Sequence, residues 1–287
     1  MNFKRKWGTE GSGDGQFERP VGVSVYKDEV FVVDMINYRI QVFALEGTFK
    51  RKWGSNGSGD GQFIAPYGIS VYKDEVFVVD NGNNRIQVFG LGGMFKRKWG
   101  EYGDANGQFF SPYGISIYKN EVFVVDNGNN RIQVFDLEGM FLRKWGSFNS
   151  GDGQFQGPMG ISVYKDEVFV ADSFNDRIQV FARNGTFKRK WGAYGTGDGQ
   201  FKHPFGIFVF GDQVFVTDYE GNRVEVFALD GTFKNKWGKA GSGDGEFLDP
   251  NQIWVYAGSY VCVADTGHHR VQVFGAVKQY LPVMGIG

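Results

Sequence analysis

PYGISVYKDEVFVVDNGNNRIQVF, residues 66–89, contains three short apolar runs with the two-residue period of β-strands. Ile69 and Val71 belong to the first run. Val76–Val79 form the second, after the turn residues Lys73, Asp74 and Glu75. Ile86, Val88 and Phe89 form the third, after Asn81 to Asn84, a segment whose residue types tolerate positive φ. A fourth run follows, in which Phe95, Arg97 and Trp99 alternate with Lys96 and Lys98. No helical 3.6-residue pattern interrupts them.

Outward from this stretch, the same unit recurs along the whole chain. Trp7, Trp53, Trp99, Trp145, Trp191 and Trp237 stand 46 residues apart, and Pro20, Pro66, Pro112, Pro158, Pro204 and Pro250 keep the same step. A fixed period of this size marks one supersecondary unit copied many times. Four strands per copy and 44 glycines, a supply of turn residues, predict an all-β six-bladed β-propeller of four antiparallel strands per blade. We read residues 1–287 as one domain of six 46–47-residue repeats, because a blade alone has no core. The last copy carries one extra residue, placed within 257–260. The chain opens on Phe3 to Gly8, which matches a fourth strand. Residues 3–8 are therefore expected to pair with 270–275 and complete blade six, leaving a tail from about 276 to 287 displaced or laid over the rim.

The strings Pro66 to Val71 and Val76 to Phe89, repeated six times with Gly-Asp-Gly-Gln-Phe between copies, resemble NHL repeats. That resemblance implies the propeller fold. It leaves function open, since the family includes RNA binders, protein-interaction modules and relatives of a lyase. Blade six departs from the pattern at Gln252, Trp254 and Cys262, and blade five at Phe208 and Glu225.

Composition narrows the functional classes. With 31 basic and 32 acidic residues, no global charge draws the chain to nucleic acid or to an anionic membrane. No apolar run is long enough for a membrane helix. One cysteine, Cys262, excludes an internal disulfide and reads as a buried thiol. Because the sequence opens directly in repeat sequence, no signal peptide is expected. An intracellular, cytoplasmic monomer, or a domain of a larger protein, is expected.

Six aspartate–arginine pairs recur at a five-residue spacing: Asp34 with Arg39, Asp80 with Arg85, Asp126 with Arg131, Asp172 with Arg177, Asp218 with Arg223 and Asp265 with Arg270. Six copies of a catalytic pair make no sense, so we assign them as structural braces between second and third strands, each expected to be partly buried. The Gly-Ser-Gly-Asp-Gly-Gln-Phe segments lack the following helix and lysine of a phosphate loop, and read as turns. The Lys-Arg-Lys clusters lie on outer strands, where lysine discourages sheet-to-sheet pairing. His203, His268 and His269 are too few and too scattered for a catalytic zinc site. No metal, no cofactor and no enzymatic activity are expected.

Function is sought where the copies differ. The first-to-second strand turns barely vary, whereas the second-to-third loops and the residues around each proline vary freely. Strand direction puts both variable groups on one face of the ring, where loops on a rigid scaffold collect binding residues. Residues after the prolines (Val21, Tyr67, Tyr113, Met159, Phe205, Asn251) are expected to ring an open channel mouth. We expect a protein or peptide partner on this face, held by Tyr38, Tyr67, Tyr113, Met159, Phe174, Phe205, Tyr219 and His268, with Arg19 and Lys202 as rim charges. Single-stranded RNA is the rival ligand, disfavoured by Glu18, Asp176, Glu220 and Asp249 on the same face. Further alternatives are an engineered or recently duplicated propeller with no evolved ligand, and a lyase- or lactonase-like enzyme.

Overall fold

The computed structural model describes residues 1–256 and 260–275. Most of the span expected to hold the extra residue (257–260) and all of the tail (276–287) lie outside these. Six four-stranded antiparallel sheets are arranged as blades. In blade two the strands are Pro66–Tyr72, Glu75–Asp80, Arg85–Gly90 and Phe95–Trp99, paired in chain order from the axis to the rim. Asn2–Trp7 pairs antiparallel with Arg270–Gly275, with Phe3 opposite Phe274 and Trp7 opposite Val271. The N-terminal strand thus completes blade six, as the sequence register predicts. Among the described residues no helix is long and apolar enough to cross a membrane.

Second and third strands are buried on both faces, which explains their unbroken β-branched and aromatic runs. Outer strands alternate between half-buried and exposed, with Phe and Trp inward and Lys outward. The repeating tryptophan works between blades. Trp53 packs on Phe89 of the next blade at 5.9 Å, and Phe63 of the connecting segment packs on the same ring at 5.7 Å. Trp7 with Phe43, Trp99 with Phe135 and Trp237 with Phe274 repeat this contact around the ring. A side chain that must dock on its neighbour in every blade has to recur at the repeat period.

Near the axis the inner strands come close together. A Cβ on Gly68 would collide with the carbonyl oxygen of Tyr113, and Gly22, Gly114, Gly160 and Gly206 face the same obstacle in their own neighbours. The bottom of the ring is tied by a second device. Glu75, the first residue of the second strand, receives Arg97 through both terminal guanidinium nitrogens at 2.9 and 2.7 Å. Arg97 also donates to the Leu137 carbonyl of the next blade. These hydrogen bonds hold the Glu75 carboxyl down at about 2. Glu29 with Arg51 and Glu167 with Arg189 do the same, their carboxyls also at about 2. The central arginines Arg51, Arg97 and Arg189 of three Lys-Arg-Lys clusters are therefore staples between blades, whereas Arg5 donates to the Tyr256 hydroxyl within its own blade. The flanking lysines are paired too, Lys52 with Asp14, Lys98 with Asp60 and Lys190 with Asp152.

The recurrent Asp–Arg pairs prove more deeply buried, and wider in role, than the expected partly buried brace. Asp80 has no exposed surface. One of its oxygens accepts the Ile64 N–H; the other accepts from Asn83, Arg85 and Gln87 at 2.7–3.0 Å. The rest of the Arg85 guanidinium donates to the carbonyls of Ser58, Gly59 and Gln62. The pair therefore anchors the glycine-rich inter-blade connection onto the blade, satisfying its carbonyl oxygens. Those segments are turns, as expected.

Candidate functional site

Inner strands run from the inter-blade connections towards the first-to-second strand turns. This puts the connections and the second-to-third loops on one face, called the loop face here. Residues following the prolines lie at its centre. Their geometry corrects one expectation: they do not ring an open mouth but converge across the axis. The Tyr67 ring lies 4.4 Å from that of Tyr113 and 6.5 Å from that of Phe205, and Tyr113 and Phe205 are 6.2 Å apart. Blades two and five are on opposite sides of the axis, so long side chains from both meet in the middle and close it. Val21 and Asn251 are buried at the same level and Met159 is half-buried. Burial pushes the hydroxyls of Tyr67 and Tyr113 up from their ordinary range.

Tyr219 extends this aromatic plug outward, 5.7 Å from Phe205. Burial also raises its hydroxyl, with Asp249 adding to the shift and Arg19 opposing it. Arg19, Tyr67, Tyr113, Phe205 and Tyr219 are therefore brought together, as the sequence suggests. Phe174 sits further out, 51% exposed, edge-on to His203 at 5.2 Å. His203 faces Glu220 at 3.0 Å, and the backbone N–H of Lys202 is held by Asp218.

Two expected anchors have internal roles instead. His268 binds the buried Asp265 through Nδ1 at 3.1 Å, in the position that Asn37, Asn83, Asn129 and Asn175 occupy in other blades. Tyr38 is half-buried against the core shared by blades one and two, with φ of 53°. Its counterparts Asn84, Asn130, Asp176, Asn222 and His269 each accept a backbone N–H from the following connection, at 2.8–3.3 Å. Both are loop residues by sequence, but His268 is drawn inward by the buried Asp265 of its own blade, and Tyr38 occupies the αL corner that touches the next blade.

The most exposed aromatic residues on this face escape a reading centred on prolines and loops. Tyr102, Phe148 and Tyr194 are 69%, 65% and 67% exposed, at equivalent positions of three successive connections. Their counterparts elsewhere are Glu10, Asn56 and Ala240. Phe110, also exposed, packs edge-on against Tyr102 at 5.5 Å. With Phe174, they form an aromatic arc over blades three to five that the opposite half of the face lacks. A comparison at the 46-residue step reveals this set.

Blade five differs beneath the surface. Glu225 replaces the glutamine of the other latches and Gly221 replaces the asparagine, so Asp218 loses two amide donors. Arg223 Nε sits 3.1 Å from Asp218, against 2.6–2.7 Å in the other five blades. Asp218 Oδ2, Arg223 Nε and Glu225 Oε1 are buried in ion-pair contact, with Arg223 Nη2 2.8 Å from Glu225, but none of the three has a well-directed hydrogen bond. Burial pushes Glu225 up to about 7 and Asp218 up to about 6, with Arg223 opposing both shifts. Cys262 is fully buried and its thiol is pushed up to about 12, which leaves it little thiolate. Among the described residues no three His, Cys, Asp or Glu side chains gather as a metal site.

Comparison with known proteins bears on the fold. A model of a family described as "6-bladed beta-propeller" matches residues 64–146 and 200–282. No curated protein matches the sequence. Among solved structures, virginiamycin B lyase from Staphylococcus aureus shares 18% identity, over 96% of this chain and 100% of that one, with a TM-score of 0.64. A structural genomics protein of unknown function from Bacteroides thetaiotaomicron shares 14% over 94% and 74%, with a TM-score of 0.71. A gluconolactonase from Xanthomonas campestris shares 12% over 92% and 88%, with a TM-score of 0.69. At these identities the likeness is one of fold.

Proposed function

This chain belongs to the 6-bladed beta-propeller family, and from that premise we propose that it is a non-catalytic binding scaffold, of NHL type, which takes a protein or peptide on the loop face over blades three to five. The observation that carries this is the exposure of Tyr102, Phe148 and Tyr194 at equivalent positions of three adjacent blades, where the other three carry Glu, Asn and Ala. Exposed aromatic clusters on a rigid frame are the composition of protein-binding surfaces. Phe110 and Phe174 extend the arc, and Arg19, Lys202 and Tyr219 offer polar groups towards the axis. On this face His203 is held by Glu220, and His268 by the buried Asp265.

The test is a peptide selection. Random peptides displayed on phage are panned on the protein and measured against two variants. One removes Tyr102, Phe148 and Tyr194 as alanines; the other removes Met94 and Met140, exposed in turns of the opposite face. Binding is expected to fall at least about tenfold in the first variant and to be unchanged in the second. Peptides indifferent to the first variant would rule the arc out. A randomised single-stranded RNA pool is expected not to bind at near-physiological salt, because the outer lysines are already paired with aspartates. Tight, salt-sensitive RNA binding would replace the peptide assignment.

A further inference from the structure

Three departures from the repeat converge on one cavity. Inside the ring, on the far side of the Tyr67–Tyr113–Phe205 plug from the loop face, the inner strands enclose about 220 Å³. In blades one, three and four the fifth residue of the inner strand is a serine whose hydroxyl accepts an N–H from the next blade, Val71, Val163 or Val209. Blades five and six carry Phe208 and Trp254 there instead. Their rings lie 4.5 Å apart, tilted by 39°, and both are half-buried on the cavity wall. Gln252 adds a carboxamide to the lining where the other five blades have glycine. Ser70, Ile115 and Ile161 complete the wall from blades two, three and four.

We propose that this cavity is a binding site for a small planar aromatic molecule bearing one hydrogen-bonding substituent, in the size class of a phenol or an indole. The volume fits, since an engineered protein cavity of about 150 Å³ accepts benzene. The wall chemistry fits as well. Phe208 and Trp254 line an internal void, where an unfilled gap forfeits dispersion contacts that a further aromatic ring restores. The Ser70 hydroxyl and the Gln252 carboxamide supply the few polar groups that orient a ligand in an otherwise apolar pocket. Substitutions serving only to plug the axis have no need of a carboxamide among them. This site is independent of the loop face, and either can fail without the other.

The test uses the full chain labelled with 5-fluorotryptophan. Six of its seven tryptophans are the repeat residues on outer strands, and the seventh is Trp254. In a titration with p-cresol followed by fluorine NMR, the Trp254 resonance, assigned with Trp254→Phe, is expected to shift alone and to saturate with a Kd of about 1 mM or below. Phe208→Ser and Gln252→Gly each install the residue that most other blades carry, so at least one is expected to fold. Each folded variant should bind about tenfold more weakly. An unmoved Trp254 resonance up to about 10 mM, or equal shifts at all seven tryptophans, would mean a cavity holding only water and would overturn the assignment. So would undiminished binding in a folded variant.

Discussion

Glu225→Gln is expected to stabilise the protein at pH 8 by about 2–3 kcal/mol, seen as a rise in Tm of about 4–8 °C. In blade two, the Gln87 amide donates to both Asp80 and the Gln62 carbonyl, while its oxygen accepts the Gly61 N–H. Glu225 keeps only the last of these contacts, accepting from Gly199. Its other oxygen is buried beside Asp218 and an arginine that serves both. Holding a carboxyl at about 7 instead of 4.5 corresponds to about 3 kcal/mol once it is ionised.

The sign follows from proton counting. The folded state retains this proton at a pH where the unfolded chain has released it. Stability therefore falls as pH rises from about 4.5 to about 7, and is flat above. Asp218, raised from 3.8 to about 6, contributes in the same sense. Glu29, Glu75 and Glu167 act oppositely, because their carboxyls are held at about 2; their contribution is present above 4.5 and lost as pH falls towards 2. Wild-type stability is thus expected to peak near about pH 5, and Glu225→Gln to flatten the limb above it. Urea unfolding at several pH values checks this. A variant that is no more stable than wild type at pH 8 would show that the blade-five acid carries no such cost.

Asp126→Ala is expected to cost about 3–5 kcal/mol, among the largest losses a single substitution can produce here. Asp126 has no exposed surface. It accepts from the Phe110 backbone and from the side chains of Asn129, Arg131 and Gln133. Its removal strands a buried guanidinium and frees the 104–108 connection, whose carbonyls Arg131 holds. Asp218→Ala, in the depleted latch of blade five, should cost distinctly less. Equal losses at the two positions, by chemical denaturation, would mean that the amide donors add nothing.

The fold was legible because inter-blade packing forces residues to recur. A Trp that must meet the Phe of the next blade reappears every 46 positions, and a first strand that reads like a fourth can only close the ring. The Asp–Arg pair was legible, but its wider role was not. Arg85 spends most of its donors on carbonyls 23–27 residues upstream, and backbone carbonyls leave no letter in the sequence. Glu225 stood out as a substitution, yet its consequence depends on Gly221, which removes the second donor from the same aspartate. The central aromatics were expected to be open because spacing says nothing about how closely side chains crowd an axis. His268 and Tyr38 read as surface anchors because their loops are exposed in outline, but His268 is bound to the buried Asp265 of its own blade and Tyr38 is a corner packed on the next blade. Tyr102, Phe148 and Tyr194 were within reach of the sequence, being in register, but lie where the connection looks like simple glycine-rich turn.

The most direct measurement is hydrogen exchange of the protein with and without a peptide selected as described above. Protection is expected in the connections and loops at 101–110, 147–156, 173–176 and 193–203, with none added at the 27–29, 73–75 and 119–121 turns of the opposite face. Protection confined to those turns, or to the half of the loop face containing Glu10, Asn56 and Ala240, would contradict a binding surface built on the aromatic arc.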